Sequence, residues 1–389
     1  MDLQPVNPSN QHRFRLATIS KFFMICFVSH AKQKTNRHGR HSMQHRIPPD
    51  TTINALLIGT GGQGLRRGEA VRLSKGWNLT GIYDLDPNQT HRMASQWKCN
   101  SFHDLKSAIG QADTDVVLIA TPPSSHDALI EMALESGKHV LCEKPLTVHP
   151  DSAFRLANKA ERLGLILATG FNHRFYGPVL DVSAIIQNHT FGKLIQIDAR
   201  IGEKPSEQAL NGWLGNYEIS GGGVLTDNGS HLIDLLHLFM GEIMEINHAE
   251  IQWDPNRPNI EPFAKAEMKS LEAIKCCLEC NWLESHAPYL VMELQFETGS
   301  LKLSAFPWRL EILPANGKLK TRLYWMDRIR MKFLGLKSPG LEPSLMRELN
   351  ALRNQVIGMK PRGSEVCIAT GQDGARAAKV VSDIRSAAQ

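Results

Sequence analysis

The sequence has no apolar run long enough to cross a bilayer. The longest, Phe22–Val28, is seven residues, and a spanning helix needs about 20. The body of the chain also lacks any surplus of charge. The 389 residues carry a formal +5, but residues 1–50 hold 8 Lys/Arg against 2 Asp/Glu, and the remainder 36 against 37. Such a balance offers no electrostatic grip on nucleic acid, so neither nucleic acid nor membrane is an expected partner. Cysteine is sparse and unpatterned: Cys26, Cys99, Cys142, Cys276, Cys277, Cys280 and Cys367. An odd count without framework spacing argues against a disulfide scaffold and suits a reducing compartment. Cys277 and Cys280 match C-x-x-C, yet the alternation of Ile274, Cys276, Leu278, Cys280 and Trp282 marks a strand. Positions three apart in a strand face opposite sides, which argues against a shared zinc. Repeats are absent, and low complexity is confined to the tail. A hydrophobic content of 42% and a charged content of 21% fit a soluble globular enzyme long enough for two domains.

The tail, residues 1–50, is expected to be a disordered basic extension. Arg13, Arg15 and Lys21 precede the short apolar run, and Ser29-His30-Ala31 could pass for a cleavage site. The run is at the lower limit for a signal peptide and its polar lead-in is long. The expectation is therefore a cytoplasmic protein, with export as the alternative and Met43 as a possible true start.

What is present begins at residue 53. Ile53–Ile58 reads as a buried parallel strand. It runs into Gly59-Thr60-Gly61-Gly62-Gln63-Gly64, then a helix to Leu73. A second strand, Leu79–Tyr83, ends in Asp84, 20 residues after the last glycine. This is the order of a dinucleotide site. Gly59 permits the tight turn, Gly61 admits a pyrophosphate, and Gly64 allows close packing of helix on strand. Asp84 can accept hydrogen bonds from both ribose hydroxyls. It would repel a 2′-phosphate, and Leu85 and Asp86 offer no offsetting cation, so NAD is expected and NADP is less favoured. Arg66 and Arg67 are the objection, since a bent first turn could bring one near.

Strands at Val116–Thr121, Lys138–Glu143 and Leu165–Gly170 alternate with helices at Ser125–Ser136 and Asp151–Leu163, the latter with Asp151 as a possible N-cap. That alternation predicts a parallel sheet with helices on both faces over residues 51–173. Beyond it the period changes. Ile195, Ile197, Ala199 and Ile201 alternate with Gln196, Asp198 and Arg200. Leu290, Met292, Leu294 and Phe296 alternate towards a turn at Thr298-Gly299-Ser300. Half-buried antiparallel strands are expected over residues 174–389. The fold class is thus α/β, a Rossmann domain followed by an α+β domain with an open, mostly antiparallel sheet. Residues 310–345 are basic and irregular, and no element is legible there.

Two clusters add chemistry. Lys144, in Cys142-Glu143-Lys144-Pro145, sits at the end of a strand, where ligands of open α/β sheets bind. It could donate to a reacting oxygen or be a surface lysine. Asp227 and His231 follow Gly221-Gly222-Gly223 and are four apart, on one face of a helix with Leu232, Leu235, Leu236 and Phe239 inside. A carboxylate beside an imidazole can orient a general base, although a helical histidine is often structural. Two ligands without a third give no metal site. Trp213 and Tyr217 offer ring faces for a sugar, and Gln196, Asp198 and Arg200 offer hydrogen bonds. A core or lid role for Trp213 stands beside that reading.

Together these segments resemble the Gfo/Idh/MocA oxidoreductase family, from about Ile53 to the final Thr370-Gly371-Gln372-Asp373-Gly374 segment and its helix. The resemblance implies an NAD(P)-dependent dehydrogenase acting on CH–OH groups of a sugar, polyol or nucleotide sugar. It assigns the catalytic lysine to Lys144 and the Asp/His pair to Asp227 and His231. It sets Thr121-Pro122-Pro123 along the cofactor, Glu143 near the nicotinamide ribose, and Asn172 and Arg174 towards the substrate. It also implies a homo-oligomer, dimer or tetramer, formed through the C-terminal sheet. The alternatives are an NAD-dependent glycosidase of the same fold and a non-catalytic sugar or NAD sensor.

Overall fold

A computed structural model describes residues 48, 50–284, 287–305, 308–324, 343–359, 361 and 365–388. The expectations for the tail up to residue 47, including the apolar run and Met43, lie outside these residues. So do residues 325–342 of the unread basic stretch. Residues Arg46–Gln389 form one compact unit. Among the described residues no helix is long and apolar enough to cross a membrane.

The first sheet contains β1 (Ile53–Ile58), β2 (Trp77–Tyr83), β3 (Asn100–Phe102), β4 (Val116–Ile119), β5 (His139–Cys142) and β6 (Leu167–Thr169). Its spatial order is β3-β2-β1-β4-β5-β6, and every pairing is parallel. The strands of the centre are apolar on both faces because helices cover both. Leu56, Ile58, Val117 and Ile119 pack on one side, and Ala55, Leu57, Val116 and Leu118 on the other. The helix Pro150–Leu163 starts one residue earlier than the sequence suggests. Its N-cap is His149, and Asp151 falls in the first turn without capping. Pro150, with its φ already helical, takes the first position instead.

The second sheet has eight strands. They are β7 (Leu194–Gly202), β8 (Ile243–Gln252), β9 (Phe263–Ser270), β10 (Lys275–Asn281), β11 (Tyr289–Phe296), β12 (Gly299–Ala305), β13 (Arg309–Pro314) and β14 (Lys320–Leu323). The order is β14-β13-β12-β11-β7-β10-β9-β8. The β7–β10 pair is parallel and the other pairings are antiparallel. One face carries Ile197, Ala199, Ile201, Leu278, Met292 and Leu303 against the helices Gly177–Gln187, Ser230–Met240 and Gly371–Ala387. Cys276 and Cys280 are buried on that face, while Cys277 is turned to the other side and half-buried. The β11–β12 hairpin turns at Glu297-Thr298, because Phe296 already pairs with Gly299. Gly299 serves packing instead: a Cβ there would lie 2.8 Å from the Phe191 ring.

The last helices return to the first sheet. In the helix Pro343–Val356, Leu345, Leu349 and Leu352 join the core beside Ala70, Val71 and Trp97. This return is fixed by charge. Arg67, buried in the helix Gly62–Leu73, donates from Nε to Glu143 Oε1 at 2.5 Å and from Nη1 to Glu348 Oε2. Burial works against its charge, but the two carboxylates outweigh burial and hold its pKa above the ordinary value. Arg67 is therefore committed to the interior. Removing one partner of a buried ion pair typically costs about 3–5 kcal/mol, because the other is left charged and dry. Arg67→Ala is expected to lower the urea midpoint accordingly, and an unchanged midpoint would contradict the bridging role.

Candidate active site

In a doubly wound sheet the order reverses beside the first strand, and a crevice opens where the flanking loops diverge. Here β1 lies between β2 and β4, and a cavity of about 1220 Å³ sits at the strand ends. Gly59 leaves β1 with φ +91°, a conformation that disfavours any side chain. A Cβ on Gly64 would come within 2.0 Å of the Gly59 carbonyl oxygen, so the helix sits directly on the turn. Gly61 and Gly62 are the opposite case. A Cβ on either would meet nothing within 4 Å, and both line the cavity. The helix begins there, at Gly62, with no acidic residue in its first turn. Open backbone at a helix N-terminus is a cradle for a diphosphate.

Asp84 closes the far side. Its Oδ2 accepts from Thr60 N at 2.6 Å and Thr60 Oγ1 at 2.8 Å, and its Oδ1 from Asp86 N at 3.1 Å. The carboxylate is thus held in place at the cavity edge, as recognition of a diol requires. Thr121 and Pro122 line the wall beyond β4. His126 joins this wall to the next one: Thr121 O and Pro145 O each lie 2.9 Å from one of its ring nitrogens. Glu143 lines the cavity and accepts from Gln63 Nε2 at 3.2 Å as well as from Arg67. The residues present fit a dinucleotide.

Residues 53–171 match the oxidoreductase family's NAD-binding Rossmann fold, and residues 179–302 match its C-terminal domain. The chain belongs to the Gfo/Idh/MocA family. It is 28% identical over 201 residues to D-glucoside 3-dehydrogenase of Escherichia coli (strain K12), covering 47% of this chain and 56% of that protein. It is 29% identical over 161 residues to levoglucosan dehydrogenase of Pseudarthrobacter phenanthrenivorans, covering 41% of each. These alignments span about half the length of the curated relatives. A solved levoglucosan dehydrogenase in complex with NADH and levoglucosan superposes with a TM-score of 0.77 at 20% identity, over 87% of this chain and 97% of that one. That likeness is one of fold.

In this Gfo/Idh/MocA member the three residues expected to be catalytic meet in the cavity, but their pairing differs from the expected one. Lys144, Asp227 and His231 all line it. Asp227, however, receives Lys144 rather than His231. Lys144 Nζ donates to Asp227 Oδ1 at 2.5 Å and to Asp227 O at 2.9 Å. Leu225–Gly229 form a π-helical turn that runs into the α-helix at Ser230.

His231 is instead held by aromatic rings. Its imidazole stacks on His173, with centroids 3.8 Å apart and planes 13° apart, and meets the edge of Phe171 at 5.7 Å. His173 stacks in turn on Tyr176 at 4.5 Å. Burial, then the Lys144 charge, pushes the His173 pKa down to about 3. Burial followed by His173, Lys144 and Arg67 holds His231 well below the ordinary value.

Sequence reasoning passed over His173 and chose its neighbours. Asn172 does line the cavity, and its Nδ2 donates to Ser344 Oγ at 3.0 Å. Arg174 does not. It is buried, donating to Asp234 at 2.8 and 2.5 Å and lying 3.3 Å from Asp373. Asn172–Phe175 form a 3₁₀ turn, in which consecutive side chains diverge by about 120°, so His173 and Arg174 face different ways. The signal available was that turn-forming segment at a strand end.

Trp213 lines the cavity and is 47% exposed. Tyr217 lines a separate cavity of about 280 Å³. Gln196, Asp198 and Arg200 lie on the face of β7 opposite the buried Ile197, Ala199 and Ile201, away from the site. The end of β7 contributes Ile201, Gly202 and Glu203 instead. Burial and then Asp227 raise the pKa of Glu203.

Both stacked imidazoles are held neutral. Their ¹⁵N chemical shifts should therefore show no protonation between pH 8 and pH 5, through the range where an ordinary histidine titrates near about 6.5. A midpoint above 6 for either ring would contradict the burial argument.

Proposed function

We propose that this protein transfers hydride between NAD and a secondary alcohol or ketone of a sugar-like molecule. The observation that carries the reading is the convergence of Lys144, Asp227 and His231 on the cavity formed by the glycine turn and Asp84. The nicotinamide, when bound, takes or gives the hydride at C4. The chain's own residues handle the proton and the charge. His231, kept in its neutral form, accepts the hydroxyl proton. Lys144, anchored by Asp227, donates to the substrate oxygen as it becomes an alkoxide. Asp227 thus acts through Lys144, not through His231. Asn172 and Trp213 contact the sugar, with Glu203 beside them. The names of the relatives, a glucoside 3-dehydrogenase and a levoglucosan dehydrogenase, support a sugar hydroxyl as the reacting group.

Asp84 favours NAD over NADP, and the burial of Arg67 removes one of the two cations that could have offset it. Arg66 lines the cavity and is the remaining one. Residues 51–173, completed by the returning helix Pro343–Val356, form the cofactor domain, and the eight-stranded sheet with its helices forms the substrate and assembly domain. Assembly into a dimer or tetramer uses the open face of the eight-stranded sheet, where Lys265, Glu267, Glu293 and Lys302 alternate with the buried row. The dispersed cysteines Cys99, Cys142, Cys276, Cys277 and Cys280, none of them in a disulfide among the described residues, fit a cytoplasmic setting.

Purified protein with NAD should form NADH stoichiometrically when offered the right member of a panel of glucosides, anhydrosugars and nucleotide sugars. With that substrate, His231→Ala should cut kcat by roughly 10²–10⁴ and leave NADH affinity nearly unchanged. Lys144→Ala and Asp227→Asn should lose activity in parallel, since one holds the other. Wild-type specific activity in folded His231→Ala protein would overturn the assignment. Tighter binding of NADPH than NADH by fluorescence titration would overturn the cofactor preference.

A further inference from the structure

A catalytic imidazole usually has its second nitrogen pinned by a carboxylate or a carbonyl, which fixes both the tautomer and the plane of the ring. Among the described residues His231 has no such partner. Its Nδ1 is buried and makes no hydrogen bond, and the carboxylate four residues back belongs to Lys144. A ring free to turn about its Cβ–Cγ bond would sweep its other nitrogen away from the substrate oxygen. Something else must hold it.

The neighbour that can is His173. The two rings overlap at 3.8 Å and are nearly parallel, 13° apart. His173 is sandwiched, with Tyr176 on it at 4.5 Å and 29°. Phe171 meets His231 edge-on from the same chain segment. The segment itself is anchored from behind by the Arg174 pair with Asp234, a residue of the His231 helix. His173 Nδ1, like that of His231, is buried and makes no hydrogen bond. His173 thus meets its neighbour as a ring and not as a hydrogen-bond donor.

We infer that His173 is a positioning residue for His231, its stacked ring fixing the plane in which the His231 imidazole presents a nitrogen to the substrate hydroxyl. The inference rests on the dehydrogenase reading for its catalytic consequence and on the geometry alone for its structural one. It also accounts for how a base can work here without an orienting carboxylate. The charged groups facing the pair are Lys144 and Asp227 from the cavity side, with Arg67 and Glu143 beyond. Lys144 opposes a proton on either ring, Arg67 opposes one on His231, and a proton on one ring opposes a second on the other.

The test is a pair of variants, His173→Ala and His173→Phe, in the full chain. Phe preserves a flat ring at the same place and removes both nitrogens. His173→Ala is expected to lower kcat by roughly 10–100-fold, the scale of a small misplacement of a reacting group, without weakening NADH binding. Admission of water to the vacated space should carry the acid limb of the pH profile, and the His231 ¹⁵N titration, up towards the ordinary histidine value. His173→Phe should restore most of kcat and keep the low titration midpoint. Equal impairment of the two variants would overturn the inference, because an imidazole nitrogen would then be needed. Wild-type kcat in His173→Ala, or a fall in melting temperature alone, would also overturn it. If wild-type protein oxidises no sugar while the ¹⁵N titrations of the two variants still differ as stated, the dehydrogenase reading fails and the stack stands.

Discussion

The buried guanidinium of Arg67 is the constraint on which the rest of the site depends. Placing a charge in the interior costs several kcal/mol unless its partners are held in place. Here the helix that follows the glycine turn carries the arginine, and its partners come from two other parts of the chain, the end of β5 and the returning helix Pro343–Val356. Glu143 immediately precedes Lys144. The same pairing that seats the first helix on the turn therefore sets the height of the strand end that carries the lysine. Gly170, at the end of β6, takes part by omission, since a Cβ there would lie 2.8 Å from Arg67 Nη2.

Beyond that anchor the site divides its work by charge. Lys144 and Asp227 form a partly exposed ion pair, 18% and 30% accessible, able to reach a substrate oxygen. His173 and His231 form a buried neutral pair, held by ring contact. Asp227, on the π-helical turn Leu225–Gly229, pairs with Lys144, while His231, in the α-helix that follows, packs into the ring stack. His126 links the two walls of the cofactor side through carbonyl oxygens of Thr121 and Pro145. Burial keeps its pKa low as well.

The second sheet supplies a floor more than a set of contacts. Its buried face packs on three helices, one of which carries His231. Its other face is polar and uncovered among the described residues. One end of the cavity is built from the ends of two central strands, Glu203 just after β7 and Tyr289 at the start of β11, with Trp213 from the segment that follows β7. The in-facing and out-facing rows of β7 show why: residues on the open face are separated from the site by the sheet itself.

Most of the fold was legible in the sequence because its signals are local. A glycine turn between an apolar strand and a helix, with an acid after the next strand, specifies a dinucleotide cradle through backbone conformation alone, and Gly59, Gly64 and Asp84 lie where that logic requires. Period-two alternation marked β7, β11 and β12 for the same reason. The strands β13 and β14 and the helix Pro343–Val356 were not legible, since their pattern is irregular and their stability comes from pairing and packing with distant residues. Lys144, Asp227 and His231 could be named from sequence, but their partners could not. Which carboxylate meets which cation depends on where Lys144 and Arg67 come to lie in the fold. That His173 faces the site and Arg174 the interior depends on a 3₁₀ turn. These are decisions of side-chain direction and desolvation, made only when segments 60 to 280 residues apart are brought together.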